Sequence, residues 1–341
     1  VDREKKQILL DNGETADYDV LIFAVGASPN RFPIEGNSGE GIFTLRTLAE
    51  AQAIKEYVHG HPGESAVIGG GLLGLEAAHA MKDAGSALVR VFEIAPWLLP
   101  RQLDEDAAAL LVKRLIAMGI EVVTGASVQA FTLDNDHVSG LVLKDGRSFP
   151  AQAAVLSMGV RSNTSLASRC GLGVNRGILT DDRMATSDPA IFAVGDCAEF
   201  GGIVWGIIPA ALEQAAVAAD SAWEYLNSVF AFAPEKPEQS KRYVQTVPKT
   251  ALKVAGVSVQ SIGKAVLSAE EKASGLYTAH SHTAGEGDQV RYESYVTERN
   301  EAGEDILKGA ILYGSREHQG EVSALMNKAV TKADILKLLA F

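Results

Sequence analysis

The stretch ESAVIGGGLLGLEAAHAM, residues 64–81, limits what this chain can fold into more than any other. An apolar run ends in glycines and continues into an alanine-rich segment, which predicts a strand, a tight turn and a helix. Gly69, Gly71 and Gly74 stand in the spacing G-x-G-x-x-G. The first permits the turn, the second lets backbone approach a pyrophosphate, and the third lets the helix pack on the strand. The helix N-terminus, with Leu72 and Leu73 in its first turn, then faces the phosphates. The following strand, LVRVFEI, ends at Glu93, 19 residues after Gly74, where a carboxylate would accept hydrogen bonds from the adenosine ribose hydroxyls. Gly159, at the end of the apolar strand AAVLSMG, completes the expected site. Ser86 and Ala87 bring no positive charge and the first arginine after Glu93 is Arg101, so the spacing predicts NADH rather than NADPH.

Such a unit can open a simple dehydrogenase, yet here 63 residues precede it. They include a hairpin signal at DNGE, the apolar strand VLIFAV ending at Gly26, and a helix over 45–58. After the fingerprint, 104–119 reads as a helix with acids in its first turn and glycine at its end. SVQAFTL, HVSGLVL and RSFPA read as short strands. Residues 177–200 read as strand, turn, strand, and 209–226 as a helix with Pro209 at its start. APEKPEQS, 233–240, is the clearest linker. Beyond it, strands such as ESYVTER and GAILYG alternate with helices expected over EVSALMNKAV and KADILKLLAF. HSHTAGEGD, 280–288, reads as an exposed loop, and no spacing in the chain predicts a metal site.

A length of 341 residues calls for two or three domains. The net charge of −12 comes without any basic run, which argues against a nucleic-acid partner. No apolar window survives Glu76, Pro209 and Glu213 long enough to span a membrane. Two isolated cysteines, Cys170 and Cys197, fit a reducing compartment, so the chain is expected in the cytoplasm. Cys197 reads as a buried thiol.

The decisive pair is VLIFAVGASPN and PAIFAVGDCAEF, one on each side of the fingerprint. With it they resemble the pyridine nucleotide-disulfide oxidoreductase superfamily, the two-dinucleotide flavoproteins. The resemblance implies FAD beside Ala24, Gly26, Ala27 and Pro29, with Val25 where threonine is usual, and a flavin-holding aspartate at Gly195–Asp196. It implies an α/β fold of three-layer ββα type, with an NADH domain (47–160) inserted in an FAD domain (1–46 and 161–235) and a C-terminal α+β domain (241–341). On this reading the FAD domain is truncated, because only one fingerprint occurs and roughly 70 to 80 residues of a complete member would precede Val1.

The likeness is strongest to NADH-dependent nitrite reductase large subunits and rubredoxin reductases. It implies an FAD-dependent NADH oxidoreductase that passes electrons to an acceptor protein or fused redox module. An NADH oxidase or peroxidase with a cysteine outside the chain, and a catalytically silent NAD-binding module, stay open. In relatives a glutamate matching Glu76 pairs with a lysine beside the flavin, which gives Glu76 a catalytic role by resemblance. The helix from Pro209 and Ala210 would aim its positive end at the flavin, with Trp205 just before it. GVRSN carries Ser162 where the family usually has proline. Residues 241–341 take the place of the family's interface domain, which is compatible with a homodimer.

Overall fold

The computed structural model describes residues 1–231, 241–254 and 256–340, so the expected linker at 233–240 lies outside the described residues. The chain divides into two compact units, Asn30–Gly159 with Val247–Phe341, and Val1–Pro29 with Val160–Thr246.

The first unit is built on a five-stranded parallel sheet in the order Ile42–Thr44, Ala153–Leu156, Glu64–Ile68, Leu88–Phe92, Ile120–Val123. Its strands are apolar in succession rather than alternating, because both faces are covered. Val67, Val89, Val91, Ala153 and Val155 pack under the helices Leu48–Gly60, Leu72–Asp83 and Glu105–Ala117. Their neighbours Ala66, Ile68, Phe92, Ala154 and Leu156 point the other way, against the antiparallel meander Val128–Asp134, His137–Leu143, Ser148–Pro150. Helices, parallel sheet and meander make the three expected layers. The unit begins at Asn30, ahead of the expected start at 47, because Ile42–Thr44 pairs with Ala153–Leu156 as the sheet's edge.

The C-terminal part of the same unit is an antiparallel sheet in the order Lys249–Val254, Val257–Gly263, Asp305–Tyr313, Arg291–Arg299, Tyr277–Ala284, with Ala329–Val330 paired to its third strand. One face carries Ile262, Tyr295, Leu307 and Leu312 beneath the helices Gln319–Leu325 and Lys332–Leu338. The other face, with Val259, Tyr292, Ile311 and Tyr313, joins the core of the fingerprint helices, and the Tyr292 hydroxyl donates to Asp104. That shared core is why 247–341 groups with the fingerprint unit.

Two local expectations are corrected here. His280 to Ala284 lie in a strand and not a loop, paired residue by residue with Arg291 to Tyr295. The helix expected over 321–330 stops at Leu325, because Asn327 turns left-handed (φ +59°) and donates its N–H to Leu307, which starts the short strand Ala329–Val330.

The second unit holds the hairpin Gln7–Leu9/Thr15–Asp17 and the parallel pairs Leu21–Phe23/Ile191–Ala193 and Ile178–Thr180/Ala198–Phe200. Phe23, Ile178, Ile191, Phe192 and Cys197 form its core against Val217, Ala218 and Ala222 of the long helix Ile208–Phe230.

Candidate functional site

In the fingerprint unit the motif residues gather at the carboxyl ends of the parallel strands, where open α/β sheets bind ligands. Gly69 takes φ +113°, and a side chain there would overlap the Ser157 carbonyl. A side chain at Gly74 would overlap the Gly69 carbonyl, so helix and strand touch only because both are glycine. Gly71 differs: nothing lies within 4 Å of where its Cβ would be. It is the N-cap of Leu72–Asp83 and supplies no side-chain acceptor, and no acid stands in the first turn. The helices on either side are capped, by Thr47 accepting from Glu50 N–H and by Asp104 accepting from Ala107 N–H. The fingerprint helix alone among these three leaves its first N–H groups open, with Leu72 half-buried and Leu73 exposed beside them.

Glu93 is only 8% exposed, and its two carboxylate oxygens accept from Gly70 N–H (2.6 Å) and Ala95 N–H (2.7 Å). It therefore braces the glycine loop from the neighbouring strand, with lone pairs left for a ribose. Gly70 is the residue the motif reading missed; the run of three glycines was its signal. A Cβ on Gly70 would run into Leu98 and Glu93. Gly159 is exposed at φ +77°, and its carbonyl accepts from Asn30 N–H (3.0 Å). Glu76 is exposed on the fingerprint helix and makes no hydrogen bond or ion pair among the described residues.

In the second unit, the parallel pairing of Leu21–Phe23 with Ile191–Ala193 brings the two AVG segments out side by side, joined by Val194 N–H to the Phe23 carbonyl (2.9 Å). Each then turns at a glycine with positive φ, Gly26 (+66°) and Gly195 (+75°). Ala24 and Val25 are exposed although apolar, Ala27 is buried, and Pro29 ends the strand Ala27–Pro29. Gly195–Cys197 forms one 3₁₀ turn that holds Asp196 half-exposed. This turn sits against the first turn of Ile208–Phe230, since a Cβ on Gly195 would be 3.6 Å from that of Ala211. Buried Gln214 fixes the arrangement by accepting from Gly195 N–H (2.8 Å).

The long helix also starts uncapped: Ile207 offers no side-chain acceptor, Pro209 lies in its first turn with Ala210 buried after it, and its first turn carries no acid of its own. Open helix N–H groups, one aspartate and an exposed apolar turn are the donor set and surface that a flavin with its ribitol and pyrophosphate requires. The residues present fit FAD. Trp205 is half-buried with its indole N–H enclosed and lacking an acceptor among the described residues. Cys197 is fully buried, and burial pushes its thiol up, away from the thiolate that redox chemistry needs. Among the described residues no helix is long and apolar enough to cross a membrane.

Residues 1–222 match the family model for pyridine nucleotide-disulphide oxidoreductases. The chain is 34% identical over 342 residues to nitrite reductase [NAD(P)H] of Bacillus subtilis, covering 99% of this chain and 38% of that protein. It is 33% identical over 206 residues to rubredoxin-NAD(+) reductase of Pseudomonas putida, covering 60% of this chain and 53% of that one. The chain thus spans about two fifths to one half of these relatives. Among solved structures, the ferredoxin reductase for the CYP199A2 system from Rhodopseudomonas palustris superposes with a TM-score of 0.81 at 25% identity, over all of this chain and 80% of that one.

Proposed function

The chain belongs to the pyridine nucleotide-disulphide oxidoreductase family, whose members bind FAD and NAD(P)H, and we propose that it is the NADH- and flavin-handling part of an oxidoreductase that feeds a one-electron acceptor. The acceptor class is a rubredoxin-like or iron–sulfur protein, or a fused nitrite-reductase-type module. FAD, when bound, supplies hydride acceptance from NADH and release of electrons one at a time.

The protein's part is binding and orientation. The open N–H groups after Gly71 hold the NADH pyrophosphate, Glu93 receives the adenosine ribose hydroxyls, and Gly159 leaves the strand end free of a side chain. Asp196 accepts from the flavin ribitol, Gly26 and Gly195 let backbone come close, and the helix start at Pro209 and Ala210 directs positive potential toward the flavin. Glu76 is assigned a catalytic role beside the flavin.

One observation carries this reading: the two helices that start at the motifs lack caps, while Leu48–Gly60 and Glu105–Ala117 possess them. Uncapped N-termini leave donors that a ligand can satisfy. The test is to titrate FAD into the protein, follow quenching of flavin fluorescence, then add NADH without oxygen and watch the flavin bleach. Bleaching followed by fast reduction of ferricyanide supports the proposal. NADH binding without flavin binding replaces it with an NAD-binding module.

A further inference from the structure

We propose that the dipeptide Ser162–Asn163 is the positioning element of the flavin site, one side chain holding the Asp196 turn and the next holding the Val25–Ser28 turn. This rests on the flavin reading above. Ser162 is 7% exposed, in the strand Val160–Ser162 that pairs antiparallel with Ala27–Pro29, opposite Ala27. Its hydroxyl donates to the main-chain carbonyl of Asp196 at 2.7 Å. Asn163 follows at once and grips the other segment three times. Its N–H donates to the Gly26 carbonyl (2.9 Å), its side-chain amide donates to the Val25 carbonyl (2.8 Å), and its amide oxygen accepts from the Ser28 hydroxyl (2.7 Å).

The Asp196 peptide is thereby held from two sides, by Gln214 on Gly195 N–H and by Ser162 on the Asp196 carbonyl. With Gly195 N–H and the Asp196 carbonyl both held, the main chain on either side of the Asp196 Cα is fixed. The turn carrying Ala24 to Ser28 is fixed in the same frame, because Ser162 and Asn163 are covalently adjacent. A proline at 162 would supply no hydroxyl, so the serine provides a bond that proline could not make. Neither residue touches the reacting atoms; both act through Asp196 and the Val25–Ser28 turn.

The experiment uses the full chain with Ser162→Ala, Asp196→Ala and the double variant, with Ser162→Cys as a near-isosteric second variant that keeps a weak donor. Hydrogen exchange of the amides at 194–200 reads the clamp, and FAD titration reads its consequence. Ser162→Ala is expected to speed exchange at 194–200 while leaving 64–68 unchanged, and to weaken FAD about tenfold. Ser162→Cys should fall between it and the parent. In the Asp196→Ala background the serine change should add no further loss, because the residue it positions is gone. Unchanged exchange, or losses that add in full, overturns the proposal. A parent chain that binds no FAD overturns the flavin reading instead, while exchange at 194–200 still decides whether Ser162 holds the turn.

Discussion

Two glycines three residues apart in the same motif have opposite jobs. At Gly74 a methyl group would overlap the Gly69 carbonyl, whereas at Gly71 it would meet nothing within 4 Å. Gly71→Ala should therefore leave stability within about 1 kcal/mol of the parent, since its extended backbone (φ −79°) suits alanine. It should still weaken NADH at least about tenfold by occupying the pyrophosphate's approach. Gly74→Ala should cost about 3 kcal/mol or more by pushing helix from strand. Denaturant unfolding and NADH calorimetry on both variants check this, and equal destabilisation by the two would refute it. Glu93 shows where the sequence stopped being legible. Its position predicts a ribose ligand, but its hydrogen bonds to Gly70 and Ala95 exist only once two strands and a loop meet. A 2′-phosphate about 4 Å from this carboxylate would meet repulsion of about 4 kcal/mol at an effective dielectric of about 20, and a third of that is already about tenfold. NADH should accordingly bind better than NADPH in calorimetry, and equal affinities would sink the assignment. Glu93→Arg should lower stability as well as shift preference toward NADPH, because the loop loses its brace.

At the scale of elements, the central strands Glu64–Ile68, Leu88–Phe92 and Ala153–Leu156 were readable from their largely apolar runs beside the fingerprint, whereas the three-residue edge strand Ile42–Thr44 was not. The edge strand Tyr277–Ala284 was not, since its polar and small residues face outward and only pairing with Arg291–Arg299 makes it a strand. The same holds for Ala329–Val330, whose partner lies two dozen residues upstream. Pairing also sets the chemistry of the two faces of Arg291–Arg299. Tyr292 sits opposite Tyr313, both buried against the fingerprint helices, and Tyr295 is buried on the other face. Burial, then the Asp104 carboxylate, holds the Tyr292 phenol well above its ordinary range; burial pushes Tyr313 up to about 12. A phenol whose folded value is raised contributes fully below its unfolded value of 10.0, and the contribution is lost as pH rises through the folded value. Unfolding free energy should be flat from neutral pH to about 10 and fall steeply toward about 12. Tyr313→Phe should flatten that fall, and an unchanged alkaline limb in the variant would refute the role of this pair.

For the whole molecule, what the sequence made legible was the order of segments: a flavin-type motif, a dinucleotide unit, then a second flavin-type motif. Two stretches, Val1–Pro29 and Val160–Thr246, do fold as one unit although 130 residues separate them. The fate of the C-terminal segment was not legible, because its attachment to the fingerprint helices depends on Val259, Tyr292, Ile311 and Tyr313 sharing one face of a sheet whose register no single strand reveals. The proposed acceptor class is tested by what the chain offers for electron release. Its two cysteines are far from a dithiol: Cys197 is fully buried with its thiol pushed up by burial, and half-buried Cys170 donates to the Ala167 carbonyl. A disulfide substrate needs an accessible thiolate to exchange with, and buried Cys197 does not supply one. With FAD and NADH the protein should therefore reduce ferricyanide or rubredoxin quickly and turn over glutathione disulfide negligibly. The charge of −12 does not choose among carriers, since many of these are acidic too, and raising ionic strength should change the rates only through whichever surface docks. Rapid disulfide reduction that disappears in Cys170→Ser would show that this thiol reaches substrate, and would replace the proposed one-electron acceptor with a disulfide.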